Sequence, residues 1–436
     1  MTTGLRKSSG LPLDRAVPTV PTVAAGQKPI ATGYEGSAGD QLRAYVQRVR
    51  GGDMGMLPAL AGLVVLGILF SALSPYFLTR GNIANLLTQT AALMMLSMAL
   101  TFVIILAEID LSAGVTGGVG TAVFILLVNK EHWNWIPAIV LAVLTGVAIG
   151  TSIGFLVSKI GIPSFVVTLG LFLGFQGLML VMLGNAGTYQ VQTPQIIDIM
   201  NKSMPVWAGW VMLVVMVAAS LLTGFYDRRR RIVTGMPVRP MTLLWAHVGA
   251  LAVGGGIMVF LLNQNRSQGL SPIQGVPIVV PVALAILWAG TTMLDRTRFG
   301  LHIYAVGGNA EVARRAGIKV ARVRIIAFLL CSVLAVVSGI FTISQTGVVQ
   351  SSTGRDIVLP GVGAAVVGGV SLFGGRGRLV QAAVGALLIS MITNGLGLQG
   401  YSAGFTYLVT GGVLILAATI DALSRRRSGS TSLART

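Results

Sequence analysis

The chain has 436 residues, of which 54% are hydrophobic and only 10% charged, against roughly 25% charged in an average soluble domain. That composition excludes a water-soluble globule of this length and describes an all-α, polytopic integral membrane protein. A formal charge of +18 does not mark a nucleic-acid binder, because the basic residues lie in tails and inter-helix loops with no polar domain to present them.

Residues 1–53 are rich in Pro, Gly and Ser, carry scattered basic residues and lack an apolar core, so they read as a disordered cytoplasmic tail and not as a cleaved signal peptide. Residues 54–424 form the expected transmembrane domain, and 425–436 a short basic cytoplasmic tail. Apolar runs that meet or approach the ~20 residues of a bilayer span fall at 56–76, 84–106, 112–129, 136–158, 163–184, 206–225, 243–263, 276–294, 325–344, 361–373, 379–397 and 404–423. The third is short, and the tenth is short and glycine-rich, as a half-helix or re-entrant piece would be. About 10–12 crossings are expected.

With the N-terminus inside, these spans leave only Arg80, Lys130, Lys202, Arg266 and Arg355, of 31 lysines and arginines, on the outer side. The positive-inside rule then places both termini in the cytoplasm. Trp133 and Trp135 fall at an outer boundary, where indole favours the interface. The 57 glycines, near twice the usual ~7%, suit close helix packing.

Glu108 and Asp110 end a long apolar run with no basic neighbour in sequence. Carboxylates this close to hydrocarbon usually face a cavity or a partner, so a gate or path lining is one reading, and a helix-boundary cap by Asp110 is the other. EIDLSAGVTGGVGTAVF from Glu108 and GRDIVLPGVGAAVVGGV from Gly354 resemble each other and begin on opposite faces, as an inverted repeat with broken helices would. Gln89, Gln176, Gln381 and Asn394 are polar residues inside spans. They either line a path or bond between helices.

Asp295–Arg324 is a basic connector between two apolar runs. Within it Asn309 can cap a short helix, Glu311 sits in the first turn, Arg314 and Arg315 in the last, and Gly317 can take the left-handed C′ position. Two turns of helix do not persist alone in water. A shallow apolar side of Val312, Ala313 and Ala316 would fit a cleft in another protein, with the arginines at the rim.

Catalytic and metal chemistry are not indicated. No lysine follows a glycine, so there is no P-loop; His132, His247 and His302 are scattered, and Cys331 is the single cysteine.

AVGGNAEVARRAGIKVARVR at Ala305–Arg324, with AEIDLSAG at Ala107–Gly114 and LPGVGAAVVGGVSLFGGRG at Leu359–Gly377, resembles bacterial ABC sugar-importer permeases of the ribose, xylose and galactose group. The segment 227–274 makes the chain most similar to the longer xylose-type permeases. The resemblance implies a homodimeric permease that imports a monosaccharide, pointing to a pentose, by alternating access. It also implies a partner ABC ATPase docked on a coupling loop of Gly307, Gly308, Asn309, Glu311, Val312, Ala313, Arg314, Arg315, Ala316 and Gly317. An extracytoplasmic sugar-binding protein is implied on the other side, with Arg355 and Asp356 as candidate contacts. No cofactor is implied, and the location is the bacterial inner membrane. An ion-coupled secondary transporter using Glu108 and Asp110 is the alternative.

Overall fold

The computed structural model describes residues 55–433, except 186, 237, 239, 268 and 270, with side chains as far as Thr419. The expected tail at 1–53 lies outside the described residues. The chain forms α1 (Leu57–Leu73), α2 (Arg80–Ile104), α3 (Ala113–Asn129), α4 (Trp135–Phe155, extended by a π-helical turn at Leu156–Ile160) and α5 (Ser164–Leu183). Then follow β1 (Thr188–Gln190), α6 (Pro194–Asn201), α7 (Val206–Val233), α8 (Met241–Asn263), α9 (Val279–Arg296), α10 (Arg298–Gly308) and α11 (Ala310–Arg315). The last elements are α12 (Val320–Thr346), β2 (Val348–Gln350), α13 (Val358–Val367), α14 (Leu379–Leu398) and α15 (Ala403–Leu433).

Among the described residues, 8 helices are long and apolar enough to cross a membrane: α2, α4, α5, α7, α8, α9, α12 and α14. Four apolar helices are shorter, namely α1, α3, α13 and the first part of α15. All twelve apolar runs are therefore helical, with one displacement. The tenth was expected at 361–373 but occupies Val358–Val367, and the chain from Gly368 onward is a glycine-rich turn. Four glycines there, Gly369, Gly374, Gly375 and Gly377, have positive φ, which ends helix at Gly368.

Helix α12 is the central strut, packed against α4, α2 and α3. Gly146, Gly150 and Gly154 recur every fourth residue along α4 and lie directly on the α12 backbone, with Gly146 facing Ser332 and Gly154 facing Ile325. Small residues at this spacing let two helix backbones approach without side chains between them. On its other side α2 lies among α12, α13 and α14, and buries Met95, Leu96, Met98, Leu100 and Phe102. Helices α7 and α8 form a peripheral pair, held to the start of α2 by a small cluster of Ala84, Leu213, Val259, Leu262 and Val276. The segment 227–274 thus supplies the last two turns of α7, then α8 and the loops on either side of α8.

β1 and β2 pair antiparallel, with Tyr189 opposite Val349, and tie the end of α5 to the end of α12. This end of the bundle is termed the strand end. The opposite end, which carries α10, α11 and most of the basic side chains between Arg296 and Arg324, is the basic end. Between them Val64, Ile68, Leu173, Val181, Val214 and Leu222 stand exposed. An apolar wall of this extent is covered by lipid or by protein.

Candidate translocation and coupling site

The connector at the basic end is more helical than its sequence suggested. Phe299, Ile303 and Val306 recur at helical spacing, Thr297 Oγ1 caps the helix by accepting from Gly300 N at 3.3 Å, and α10 runs to Gly308. Asn309 then breaks the helix in extended conformation, and its Oδ1 accepts from Glu311 N and Val312 N, each at 3.0 Å. Helix α11 stops at Gly317, φ +83°, with Gly317 N donating to Arg314 O and Ile318 N to Ala313 O, each at 3.0 Å. These two bonds form the Schellman motif that a glycine at C′ allows.

One face assignment is corrected. Ala313 is 3% exposed and belongs to this chain's own core, whereas Val312 is 61% exposed and Ala316 is exposed beside it. Val312 and Ala316, four residues apart, lie about 40° from each other around the helix, whereas Ala313 lies about 100° from Val312, far enough round to turn inward. Arg314 and Arg315 both reach Glu311, at 3.0 and 3.3 Å. Such exposed pairs are worth at most about 1 kcal/mol, so the guanidinium groups can exchange partners.

Helix α10 rests on the interior. Gly307 lies against the Ile105 carbonyl so closely that no side chain would fit. Gly375 N donates to the same carbonyl at 2.8 Å. A Cβ on Gly374 would stand 2.9 Å from Ala107 N, and Tyr304 Oη donates to Gly377 O at 2.6 Å. Burial, with Asp295 nearby, pushes the Tyr304 phenol up to about 12, so it remains a donor. Helix α10, the chain leaving α2 and the 368–378 turn therefore meet at one point.

From there residues 105–112 pass into the bundle. Helix α2 ends in a second Schellman motif, with Ala107 N donating to Ile104 O at 2.9 Å and Glu108 N to Val103 O at 3.1 Å. Its C′ residue is Ala107, at φ +59°, a conformation that costs a non-glycine residue about 1–2 kcal/mol. Glu108, without a basic neighbour in sequence, has one in space: Arg324 Nη2 in the first turns of α12 is 3.1 Å from Glu108 Oε1. Sequence separation hid this pair. Asp110, 1% exposed, accepts through Oδ1 from Ser112 N at 2.9 Å and Ser112 Oγ at 2.7 Å, while Cys331 Sγ is 3.6 Å from Oδ2. This Asx turn leads into α3.

Helix α3 starts deep in the bundle. Gly114 touches Gly354 and Val358, at the start of α13, some 22 Å by helical rise from Asn129, which binds Gln190 O at the strand end. The chain thus enters from the basic end, turns near Asp110 and leaves toward the strand end as α3. It re-enters after β2, turns at Gly354 (φ +87°) and runs back toward the basic end as α13. These are the two similar sequence stretches, arranged as antiparallel half-helices whose N-termini meet. Arg355 and Asp356 are exposed in the turn between β2 and α13, directly after Gly354.

The polar span residues separate into three environments. Gln381 caps the start of α14, its Oε1 accepting from Arg378 N at 2.8 Å. Gln176 on α5 has a buried Nε2 without a hydrogen-bond partner. Asn394 on α14 pairs reciprocally with Asn82 on α2, at 2.8 and 2.9 Å, and donates to Gln89 Oε1 at 3.4 Å. Beside that network is a cleft of about 200 Å³ lined by Asn85, Gln89, Thr393, Asn394, Gly397 and Leu398. Asn82 and Asn85 escaped notice in the sequence, although with Gln89 they stand at i, i+3 and i+7 on one face of an apolar helix.

Comparison with known proteins agrees with this architecture. The family described as "Branched-chain amino acid transport system / permease component" matches residues 82–418. The xylose transport system permease protein XylH of Escherichia coli K12 is 32% identical over 355 residues, covering 81% of this chain and 87% of that protein. XylH of Haemophilus influenzae is 32% identical over 376 residues, covering 85% and 96%. The ribose import permease protein RbsC of Bacillus subtilis is 29% identical over 384 residues, covering 88% and 98%. No solved structure matches the chain.

Proposed function

Since the chain belongs to the permease family of ABC importers, in its xylose- and ribose-type sugar group, we propose that this multi-pass sugar-import permease carries a pentose into the bacterial cell in step with a partner ATPase. Two copies form the path around a two-fold axis, with the basic end and both termini in the cytoplasm. An extracytoplasmic sugar-binding protein delivers substrate at the strand end. Arg355 and Asp356, exposed in the turn after β2, are the charged contacts offered to that protein.

The observation that carries this reading is the unbroken series of contacts from α11 through α10 to Ile105, Ala107 and the start of α3. When ATP closes the motor subunits, the cleft that holds Val312, Ala316, Arg314 and Arg315 moves. Helix α10 moves with α11, and Gly307 transmits the shift to the chain that positions α3. The junction of α3 and α13 opens outward to receive sugar, and hydrolysis resets it. A neutral sugar does not require a charged site within the membrane.

The ion-coupled alternative is disfavoured by two contacts. The Glu108 carboxylate is held by Arg324, and that of Asp110 by Ser112. Reconstitution of the permease in liposomes, with its ATPase and binding protein, tests the choice. Labelled pentose should accumulate only with ATP. Uptake driven by a proton or sodium gradient without the ATPase would refute the proposal.

A further inference from the structure

We propose that the cleft between α2 and α14, lined by Asn85, Gln89, Thr393 and Asn394, is a contact site for a neutral polyhydroxylated solute on its way through the permease. The assignment rests on the sugar-import reading above and adds a place to it. In the Asn82–Asn394 pair each amide donates to the other, Asn394 uses its remaining hydrogen on Gln89, and Asn82 also donates to Phe77 O at 2.9 Å. That network orients Asn394 and Gln89 and satisfies itself, as interhelical bonding requires. Two groups are left over. Neither the Asn85 amide nor the Gln89 amide nitrogen has a hydrogen-bond partner among the described residues, and both residues line the opening.

Unpaired amides are costly against lipid, where nothing can satisfy them. The cleft therefore faces water or a second copy of the chain. Its wall is mostly apolar, with the Asn85 amide and the Gln89 amide nitrogen to bond adjacent hydroxyls, the Thr393 oxygen, which already donates to Ile389 O, as an acceptor, and no charged side chain. Leu398 and Gly397 supply an apolar edge for the C–H face of a ring. A volume of about 200 Å³ is smaller than the roughly 300–1,000 Å³ of pockets for drug-sized ligands and matches a monosaccharide. Asn394 lies near the C-terminus of α14 and Asn85 near the N-terminus of α2, so the cleft opens in the half of the bundle nearer the strand end, where the proposed binding protein delivers its load.

The test uses the full transporter with its ATPase and binding protein, with xylose as probe. In the double variant Asn85→Ala/Gln89→Ala, loss of two hydrogen bonds should lower uptake per inserted molecule about tenfold or more, with ATPase association unchanged. Separately, Asn85→Cys should react with a membrane-impermeant thiol reagent and be protected during xylose transport. Val64→Cys, on the exposed apolar wall, should not react, and Cys331 is buried. Unreactive Asn85→Cys, labelling that xylose leaves unchanged, or wild-type uptake by the double variant overturns the cleft assignment alone. A wild-type transporter that imports no sugar overturns the sugar-import reading and this assignment together.

Discussion

Arg324 and Glu108 are joined at 3.1 Å, which fixes the first turns of α12 to the chain between α2 and α3. The pair is mostly shielded, with 28% of the arginine and 12% of the glutamate side chain exposed, and Arg324 Nε has no partner of its own. Glu108→Gln should therefore cost roughly 1–3 kcal/mol, less than for a fully buried pair. Sugar-stimulated ATP hydrolysis and uptake should fall, and the exchange Glu108→Arg with Arg324→Glu should recover part of both. Wild-type transport by Glu108→Gln and Arg324→Met would remove the pair from the transmission path.

Ala107 occupies a backbone conformation that glycine adopts freely. Ala107→Gly should raise the stability of the folded permease by up to about 1 kcal/mol, read as a higher melting temperature in detergent. Basal ATP hydrolysis without sugar should rise as the turn loosens. A lower melting temperature would contradict the strain at this residue.

The sequence made the spans, their order and the short helix from Ala310 to Arg315 legible, because apolar run length, the Asn309 cap and the Gly317 stop are local signals. It also showed the paired half-helices through their shared glycine-rich pattern. The Glu108–Arg324 pair, the contact of Gly307 with Ile105 and the Asn82–Asn394 ring were not legible, since each joins residues far apart in the chain. Helix α10 was missed because glycines at its end masked the spacing of Phe299, Ile303 and Val306. Ala107 was missed for a different reason: a Schellman turn is recognised by glycine, and this one has alanine.

Asp110 uses one carboxylate oxygen to accept two bonds from Ser112. Asparagine retains that acceptor, so Asp110→Asn should leave folded yield unchanged and transport per folded molecule within about twofold. Asp110→Ala should cost about 0.5–2 kcal/mol through loss of the turn. A severe transport loss in Asp110→Asn at full yield would assign the charge itself to the gate.

Gly354 meets Gly114 where the two half-helices start. Gly354→Val would place a branched side chain against the Gly114 carbonyl at a positive φ, and should lower folded yield severely. Normal yield and normal uptake would show that the junction has more room than its geometry describes.

The most direct measurement concerns α11. Val312→Glu and Ala316→Glu each place a carboxylate on the outward face, while Ala313 still anchors the helix from within. Burying an unpaired charge in the ATPase cleft should weaken association by orders of magnitude, and the loop lies outside the spans, so insertion should be normal. The expected result is wild-type amounts of inserted permease, loss of co-purified ATPase and no ATP-driven pentose uptake. Retention of the ATPase at wild-type stoichiometry, with normal sugar-stimulated hydrolysis in both variants, would contradict the coupling role of α11.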